Sequence, residues 1–239
     1  MNKSISVKGR SLGQASVFMA VFLLFGWMAT GQAQENKVDL NALIQETQRM
    51  SQKADEMALA WWIPEEFWQV SFARNPNMTM AQAEEFMKVL RPYTVIVVMD
   101  GKAGALGGIT YKSEAAIRAG IQIKDSEGTR YRPLSEDKID ADSKNFLSIM
   151  KPVFVNMLGP LGQNMNFFLF PAENKKGQKI AEAKKEGSFS VEMGEREFKW
   201  RLPLGSLLPP KICPTCGEKL SGAYKFCPWD GASLSELKK

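Results

Sequence analysis

The spacing of apolar residues predicts helices in the early part of the chain. From residue 38 to about residue 60, apolar side chains recur every three or four positions, which places them on one helix face. A second helix is predicted to begin after Thr79, because Thr79 and Gln82 have the form of a capping box, and to end at Pro92. Residues 34–92 are therefore predicted to be a helical region.

The pattern changes to that of β-strands after Pro92. A β-branched run at residues 93–99 ends at an Asp-Gly turn, and shorter alternating segments follow at 119–124, 188–193 and 196–204, the last two joined by a tight turn at Gly194-Glu195. Turn residues separate these short strands, which favours a β-sandwich. The chain is thus predicted to belong to the α+β class, with N-terminal helices and a central antiparallel β-sandwich domain over residues 93–208.

The order of strand and turn signals in residues 93–205 resembles that of immunoglobulin-like β-sandwich domains in exported bacterial proteins. The resemblance is carried by a strand and its turn, a Gly-Pro-Leu-Gly stretch and a later apolar strand, at residues 121–125, Gly128, Tyr131, 159–162 and 165–171. It implies an immunoglobulin-like fold that serves in binding or in spacing along the cell envelope.

Residues 1–33 show the order of features of a secretory signal peptide. Three basic residues fall within the first ten positions, an apolar run spans residues 15–29, and small residues precede a cut after Ala33. An uncleaved membrane anchor is the alternative, although the charge-free stretch is only marginally apolar for a span. In either case bases precede the apolar run and acids follow it, so the body of the chain is expected outside the cytoplasm, in the periplasm or secreted.

The composition narrows the possible functions. The chain has 31 Lys plus Arg and 26 Asp plus Glu, but three of the bases lie before residue 11, and the part after Ala33 has a net charge of only +2. Nucleic-acid-binding proteins usually carry a stronger, clustered basic surface, so no nucleic acid is expected as a partner. The chain contains no His, which excludes Ser-His and Cys-His catalysis and any His-ligated metal or haem.

A repeated motif near the C-terminus predicts a metal site. Cys213-Pro-Thr-Cys216-Gly is followed by Cys227-Pro-Trp-Asp230-Gly, with ten residues between Cys216 and Cys227. Each Cys-Pro turn folds two side chains toward one point, so two such turns can place four ligands around one tetrahedral ion. The candidate metal ligands are Cys213, Cys216, Cys227 and Asp230, in a segment that is too short to bury a core of its own.

Residues 209–239 resemble a zinc ribbon, and the resemblance implies a structural Zn²⁺ in a stabilising or docking module. Asp230 stands where the family has a fourth Cys; its oxygen can bind zinc, more weakly than a thiolate, or water can fill that position. A disulfide with one free thiol and a metal-free turn are the alternatives, since export usually leads to an oxidising compartment. Phe226 and Trp229 are expected to cover the small site.

A Trp-rich segment at residues 61–68 is the second candidate site. It holds three Trp together with Glu65 and Glu66. One interpretation is a platform for carbohydrate or peptide, or a glycosidase-type carboxylate pair. The other is a buried plug between helix and sheet, because large aromatic side chains usually bury most of their surface.

These patterns predict an exported, non-catalytic binding or structural protein whose zinc-stabilised C-terminal module contacts a protein partner. One alternative is an envelope hydrolase that uses the carboxylates of the Trp-rich segment. The other is a membrane-anchored assembly subunit, and contact with the membrane is expected only if the N-terminal segment is kept.

Overall fold

The fold is given by a computed structural model that describes residues 38–105 and 107–234. The predicted signal peptide at residues 1–33 lies outside these described residues. The helices are α1 (Leu40–Thr47), α2 (Glu65–Ala73), α3 (Met80–Leu90), α4 (Glu114–Gly120), α5 (Ala141–Leu158) and α6 (Pro160–Gln163). The strands are β1 (Gln48–Met50), β2 (Glu56–Ile63), β3 (Tyr93–Ala103), β4 (Ile109–Tyr111), β5 (Ile121–Lys124), β6 (Arg130–Tyr131), β7 (Asn166–Pro171), β8 (Gly187–Met193), β9 (Arg196–Leu202), β10 (Lys211–Ile212) and β11 (Lys219–Leu220). Of the helices in the described ranges, none has the length and apolar character that a membrane crossing requires.

The described strands form three antiparallel sheets. In the first, the order is β1-β2-β3-β4, and β7 also pairs with β3. The second has the order β6-β5-β8-β9, and β10 pairs with β11 in the third. The protein is therefore a mixed α and β structure with antiparallel sheets, as predicted at the level of fold class. Because β2 pairs with β3 along its whole length, the first sheet joins residues on both sides of the boundary predicted at residue 92.

The two larger sheets contact each other through aromatic and charged side chains. Trp62 of β2 packs edge-on against Phe189 of β8 with 4.9 Å between ring centroids, and Phe189 stacks on Trp200 of β9. Asp100 of β3 forms an ion pair with Arg196 at the start of β9. Because each buried aromatic ring removes a large apolar area from water, this contact contributes strongly to the main core.

The helix predicted over residues 38–60 is wrong in its second half. The helix α1 ends at Thr47, and β1 and β2 follow where the helix was expected to continue. The hydroxyl of Thr47 donates to the carbonyl of Leu43 at 2.8 Å and accepts the indole N–H of Trp61 at 3.1 Å. Residues 58–63 of β2 are all buried, so this strand lacks the polar alternation of a half-exposed strand, and its apolar run resembled a helix.

The second predicted helix is confirmed, with its cap. The hydroxyl of Thr79 accepts the N–H of Gln82 at 3.2 Å, and the side-chain oxygen of Gln82 accepts the N–H of Thr79 at 2.9 Å. These two bonds complete a capping box.

Helices also interrupt the region that was predicted to be a β-sandwich. The sequence analysis did not identify α4 or α5, and part of the Gly-Pro-Leu-Gly stretch at 159–162 forms α6. Asp140, at the N-terminus of α5, accepts the N–H of Ser143 at 2.7 Å, and α5 contains Pro152. Antiparallel pairing is thus the confirmed part of the predicted sandwich.

Candidate metal centre

Each half of the repeated Cys motif forms a tight turn. In the first half, the N–H of Cys213 donates to the carbonyl of Glu218 at 2.9 Å, and the N–H of Gly217 donates to the carbonyl of Cys213 at 3.0 Å. Gly217 has a φ of +74°, a left-handed conformation that Gly adopts without steric cost. The turn therefore depends on a Gly directly after Cys216.

The second half repeats this geometry fourteen residues later. The N–H of Cys227 donates to the carbonyl of Ala232 at 2.8 Å, and the N–H of Gly231 donates to the carbonyl of Cys227 at 3.0 Å. Gly231 also has a φ of +74°. The repeat in the sequence is thus a repeat in the structure, with equivalent hydrogen bonds in both turns.

The two turns bring the four predicted ligand atoms together. The Sγ atoms of Cys216 and Cys227 are 3.8 Å apart, and the Sγ of Cys213 lies 3.2 and 3.6 Å from the two carboxylate oxygens of Asp230. One ligand atom from each of the four residues lies within 4.8 Å of all the others. Cys213 and Cys227 are buried, whereas Cys216 and Asp230 are exposed. The three Cys are free thiols.

These distances fit a tetrahedral metal ion. With Zn–S bonds of about 2.3 Å, two sulfurs of one tetrahedral site lie about 3.8 Å apart, and a sulfur and a carboxylate oxygen lie about 3.6 Å apart. The observed separations of 3.8 Å and 3.2–3.6 Å are close to these values, and the remaining pairs of ligand atoms lie within 4.8 Å. The cluster could therefore bind a metal ion, and three sulfurs with one oxygen form a donor set that suits Zn²⁺.

Backbone N–H groups favour negative charge in the cluster, whereas crowding of the donors opposes it. The N–H of Glu218 favours the Cys216 thiolate, but the neighbouring Cys213 sulfur and a partial loss of hydration oppose it more strongly, so the pKa of Cys216 is raised to about 12. For Cys213, burial opposes the thiolate, but N–H groups of its turn outweigh burial and lower the pKa. The N–H of Ala232 lowers the pKa of Asp230. A bound cation would remove the repulsion among these donors.

Few apolar side chains support the two turns. Their own core consists of Leu220 and Leu234 together with the buried Cys213 and Cys227, and it is separate from the main core. Two leucines bury little area for a segment of this length, so the apolar core alone is a weak source of folding free energy.

Phe226 and Trp229 do not cover the cluster as the sequence analysis expected. Their side chains are 63% and 72% exposed. The two turns are closed by backbone hydrogen bonds rather than by aromatic packing, which leaves both rings at the surface.

Close backbone contacts attach the C-terminal segment to the rest of the chain. Directly before this segment, the carboxylate of Glu46 in α1 accepts the N–H groups of Gly205 and Ser206 at 3.0 and 2.9 Å. A Cβ on Gly205 would lie 1.9 Å from the Oγ of Ser221, and a Cβ on Gly222 would lie 2.5 Å from the Cβ of Leu208. The sequence analysis missed Glu46, because no local pattern relates it to residues 159 positions away.

The Trp-rich segment at residues 61–68 is a packed plug. Its three Trp side chains are each 2% exposed, so no indole face is available as a binding platform. Glu65 forms an ion pair with Arg91 at 2.9 Å, and Glu66 lies 3.6 Å from Lys184. Both carboxylates are at the start of α2, where negative charge interacts favourably with the positive end of the helix dipole.

Comparisons with protein-family models, with curated proteins and with solved structures found no match to this chain. The likeness of the C-terminal segment to zinc ribbons therefore depends on its own motif and geometry.

Proposed function

We propose that this chain is an exported, non-catalytic binding protein whose C-terminal segment is a zinc ribbon that docks a protein partner. The observation that carries the proposal is the convergence of Cys213, Cys216, Cys227 and Asp230 from two equivalent turns. In this proposal Zn²⁺ is the resident ion, and the two larger sheets form a sandwich that supports the ribbon. Export is supported by the pattern of residues 1–33.

A structural role for the ion follows from the number of protein donors. Four donors fill the positions of a tetrahedral ion, whereas catalytic zinc sites keep one position open for water or substrate. The small core around Leu220 and Leu234 explains why this segment would need a bound ion to fold stably. Metal binding would supply folding free energy that this core does not provide.

The docking role is supported by apolar side chains that surround the proposed ribbon. Tyr224, Phe226 and Trp229 are 47%, 63% and 72% exposed, and Ile212 is 51% exposed. Exposed side chains of this kind are available for contact with a partner, and Trp and Tyr are enriched at the energetic centres of interfaces.

Metal analysis of the purified, reduced full-length chain tests the ion. We expect one zinc per chain, loss of that zinc in Cys227→Ser, and tighter zinc binding against a chelator in Asp230→Cys, because thiolate is the softer ligand. Thr215→Ser, at an exposed position of the first turn, is the matched control and keeps the metal. A wild-type chain without zinc, or a Cys227→Ser variant with full zinc content, would contradict the ribbon.

Photo-crosslinking in cells tests docking separately from metal binding. A photoreactive amino acid at Trp229 is expected to crosslink to a defined protein partner, and Cys227→Ser is expected to abolish that product. The same group at Ile149, which is 65% exposed and on α5, controls for random encounters. If zinc is bound but position 229 gives no product beyond that control, the docking role is wrong. The mass of the mature chain tests export, with cleavage expected after Ala33.

A further inference from the structure

A groove of about 900 Å³ lies between β9 and the C-terminal segment. One wall carries Arg201 and Leu202 of β9, and the other carries Lys211 of β10 with Tyr224 and Lys225. Its volume is in the range of pockets that bind small molecules or short segments. The four candidate metal ligands do not line it, so it is distinct from the metal centre.

Basic side chains dominate the groove. Five basic and two acidic residues line it. Of the two acids, Glu186 pairs with Lys225 at 2.9 Å, and the carboxylate of Glu46 is occupied by backbone N–H groups. Lys211 donates to a backbone carbonyl, and within the described ranges no carboxylate pairs with Lys211 or Arg201. Lys184 pairs with Glu66 at 3.6 Å outside the lining. The groove therefore keeps an excess of positive charge, and Arg201 and Lys211 are the lining bases without a carboxylate partner in the described ranges.

Arg49 holds one of these charges in a fixed position. Its Nε donates to the carbonyl of Lys199 at 3.0 Å, and its Nη1 donates to the carbonyls of Glu46 and Gln48 at 2.9 and 2.7 Å. The guanidinium also lies over the ring of Trp200, 5.4 Å from its centroid. Carbonyls orient the guanidinium, and the nearby Glu46 carboxylate offsets part of its charge, so a ligand anion would meet a pre-positioned cation.

The strand β9 offers unpaired backbone groups at the same groove. It is the edge strand of its sheet, and its hairpin with β8 closes at Met193 and Arg196 over a two-residue turn. In such a hairpin the closing pair is hydrogen-bonded and alternate pairs are not, so Lys199 and Arg201 direct their N–H and C=O away from β8. Arg49 occupies the Lys199 carbonyl, which leaves the backbone of Arg201 available.

We propose that this groove binds an extended acidic peptide segment of a partner protein. The segment pairs with β9 at Arg201 and places its carboxylates against Arg49, Arg201 and Lys211. Pairing along a strand edge requires the repeating N–H and C=O groups of a peptide, which favours a peptide over a sulfated polysaccharide. This inference deepens the docking role proposed above, because it names the chemistry of the partner segment.

Fluorescence anisotropy with the zinc-loaded full chain tests the inference. The probe is a fluorescein-labelled hexapeptide that alternates Glu and Val. A peptide with Gln in place of Glu and a peptide with N-methylated backbone at alternate positions are the two comparison probes. We expect the acidic peptide to bind, both comparison peptides to bind about tenfold more weakly or not at all, and affinity to fall as salt is raised to about 0.5 M.

Matched charge reversals locate the site. Arg201→Glu is expected to weaken binding about tenfold or more, and Lys219→Glu, an exposed position of β11 outside the groove, is expected to change it less than about twofold. Equal effects of the two variants would overturn the proposal. So would equal binding of the N-methylated peptide, or preferential binding of heparin, which would assign the groove to a polyanion. Zinc content, measured on each variant, shows separately whether the proposed ribbon is intact.

Discussion

The ion pair between Asp100 and Arg196 connects the two larger sheets, and its removal is expected to destabilise the fold. The side chains of Asp100 and Arg196 are 6% and 15% exposed, and Lys112 contributes a second contact to Asp100 at 2.9 Å. The variant Asp100→Asn keeps the size of the side chain and removes its charge. It leaves the guanidinium largely buried beside a neutral amide.

The magnitude follows from burial and from the remaining partners. Removing one partner of a buried ion pair usually costs about 3–5 kcal/mol, because the other charge is left without compensation. Arg196 keeps a carboxylate of Glu56 at 3.5 Å, and Lys112 is 57% exposed and can be hydrated. We therefore expect Asp100→Asn to lower the free energy of unfolding by about 2–3 kcal/mol. Glu127→Gln removes an exposed pair and should cost less than about 0.5 kcal/mol.

Urea unfolding at several pH values is the assay. Burial opposes the Asp100 carboxylate, but hydrogen bonds from Arg196 and Lys112 outweigh it, so the pKa of Asp100 is lowered in the folded protein. Its contribution is therefore complete above the unfolded pKa of about 3.9 and is lost as pH falls below that value. The difference between wild type and Asp100→Asn should shrink in the same range. A difference that is as small as that of Glu127→Gln at neutral pH, or that is unchanged at acidic pH, refutes the reasoning.

Two further substitutions test other contacts. Gly205→Ala places a Cβ 1.9 Å from the Oγ of Ser221 and should lower the free energy of unfolding, measured in urea, by about 2 kcal/mol. Gly187→Ala has open space around its Cβ and should cost less than about 1 kcal/mol. Equal losses would show that the contact between Gly205 and the C-terminal segment is not tightly packed. Trp61→Phe loses a buried hydrogen bond, whereas the indole N–H of Trp68 has no partner in the described part of the chain. Trp61→Phe should therefore cost about 1 kcal/mol more than Trp68→Phe, and the reverse order would contradict this.

Local patterns predicted the elements that local interactions define. The capping box of Thr79 and Gln82 involves residues three positions apart, and the structure contains it. The hairpin of β8 and β9 has its turn and its alternation within residues 187–202. These features depend on neighbours in the sequence, so a sequence pattern is sufficient to indicate them.

The sequence patterns did not predict β2 or α5. The first is buried on both faces, and the second contains a proline. Residues 58–63 are buried throughout, and without a solvent-facing side β2 shows no period of two. The helix α5 contains Pro152, which normally ends a helix, so the segment gave no helical signal. The spacing of Asp140 and Ser143 is that of an N-cap and its N3 residue, and it was the available clue to the start of α5.

The candidate metal centre could be predicted from a local sequence pattern, whereas the groove could not. The four candidate ligands fall within residues 213–230, and two short turns with matching hydrogen bonds position them, so their spacing alone could predict the cluster. The groove combines Arg49 before β2, Arg201 in β9 and Lys211 in β10, and no spacing rule connects these positions. The net charge of the chain after Ala33 is close to zero, so the composition does not indicate the positive charge of the groove either. Such a surface forms only when the fold brings β9 and the C-terminal segment together, because its basic residues come from separate segments of the chain.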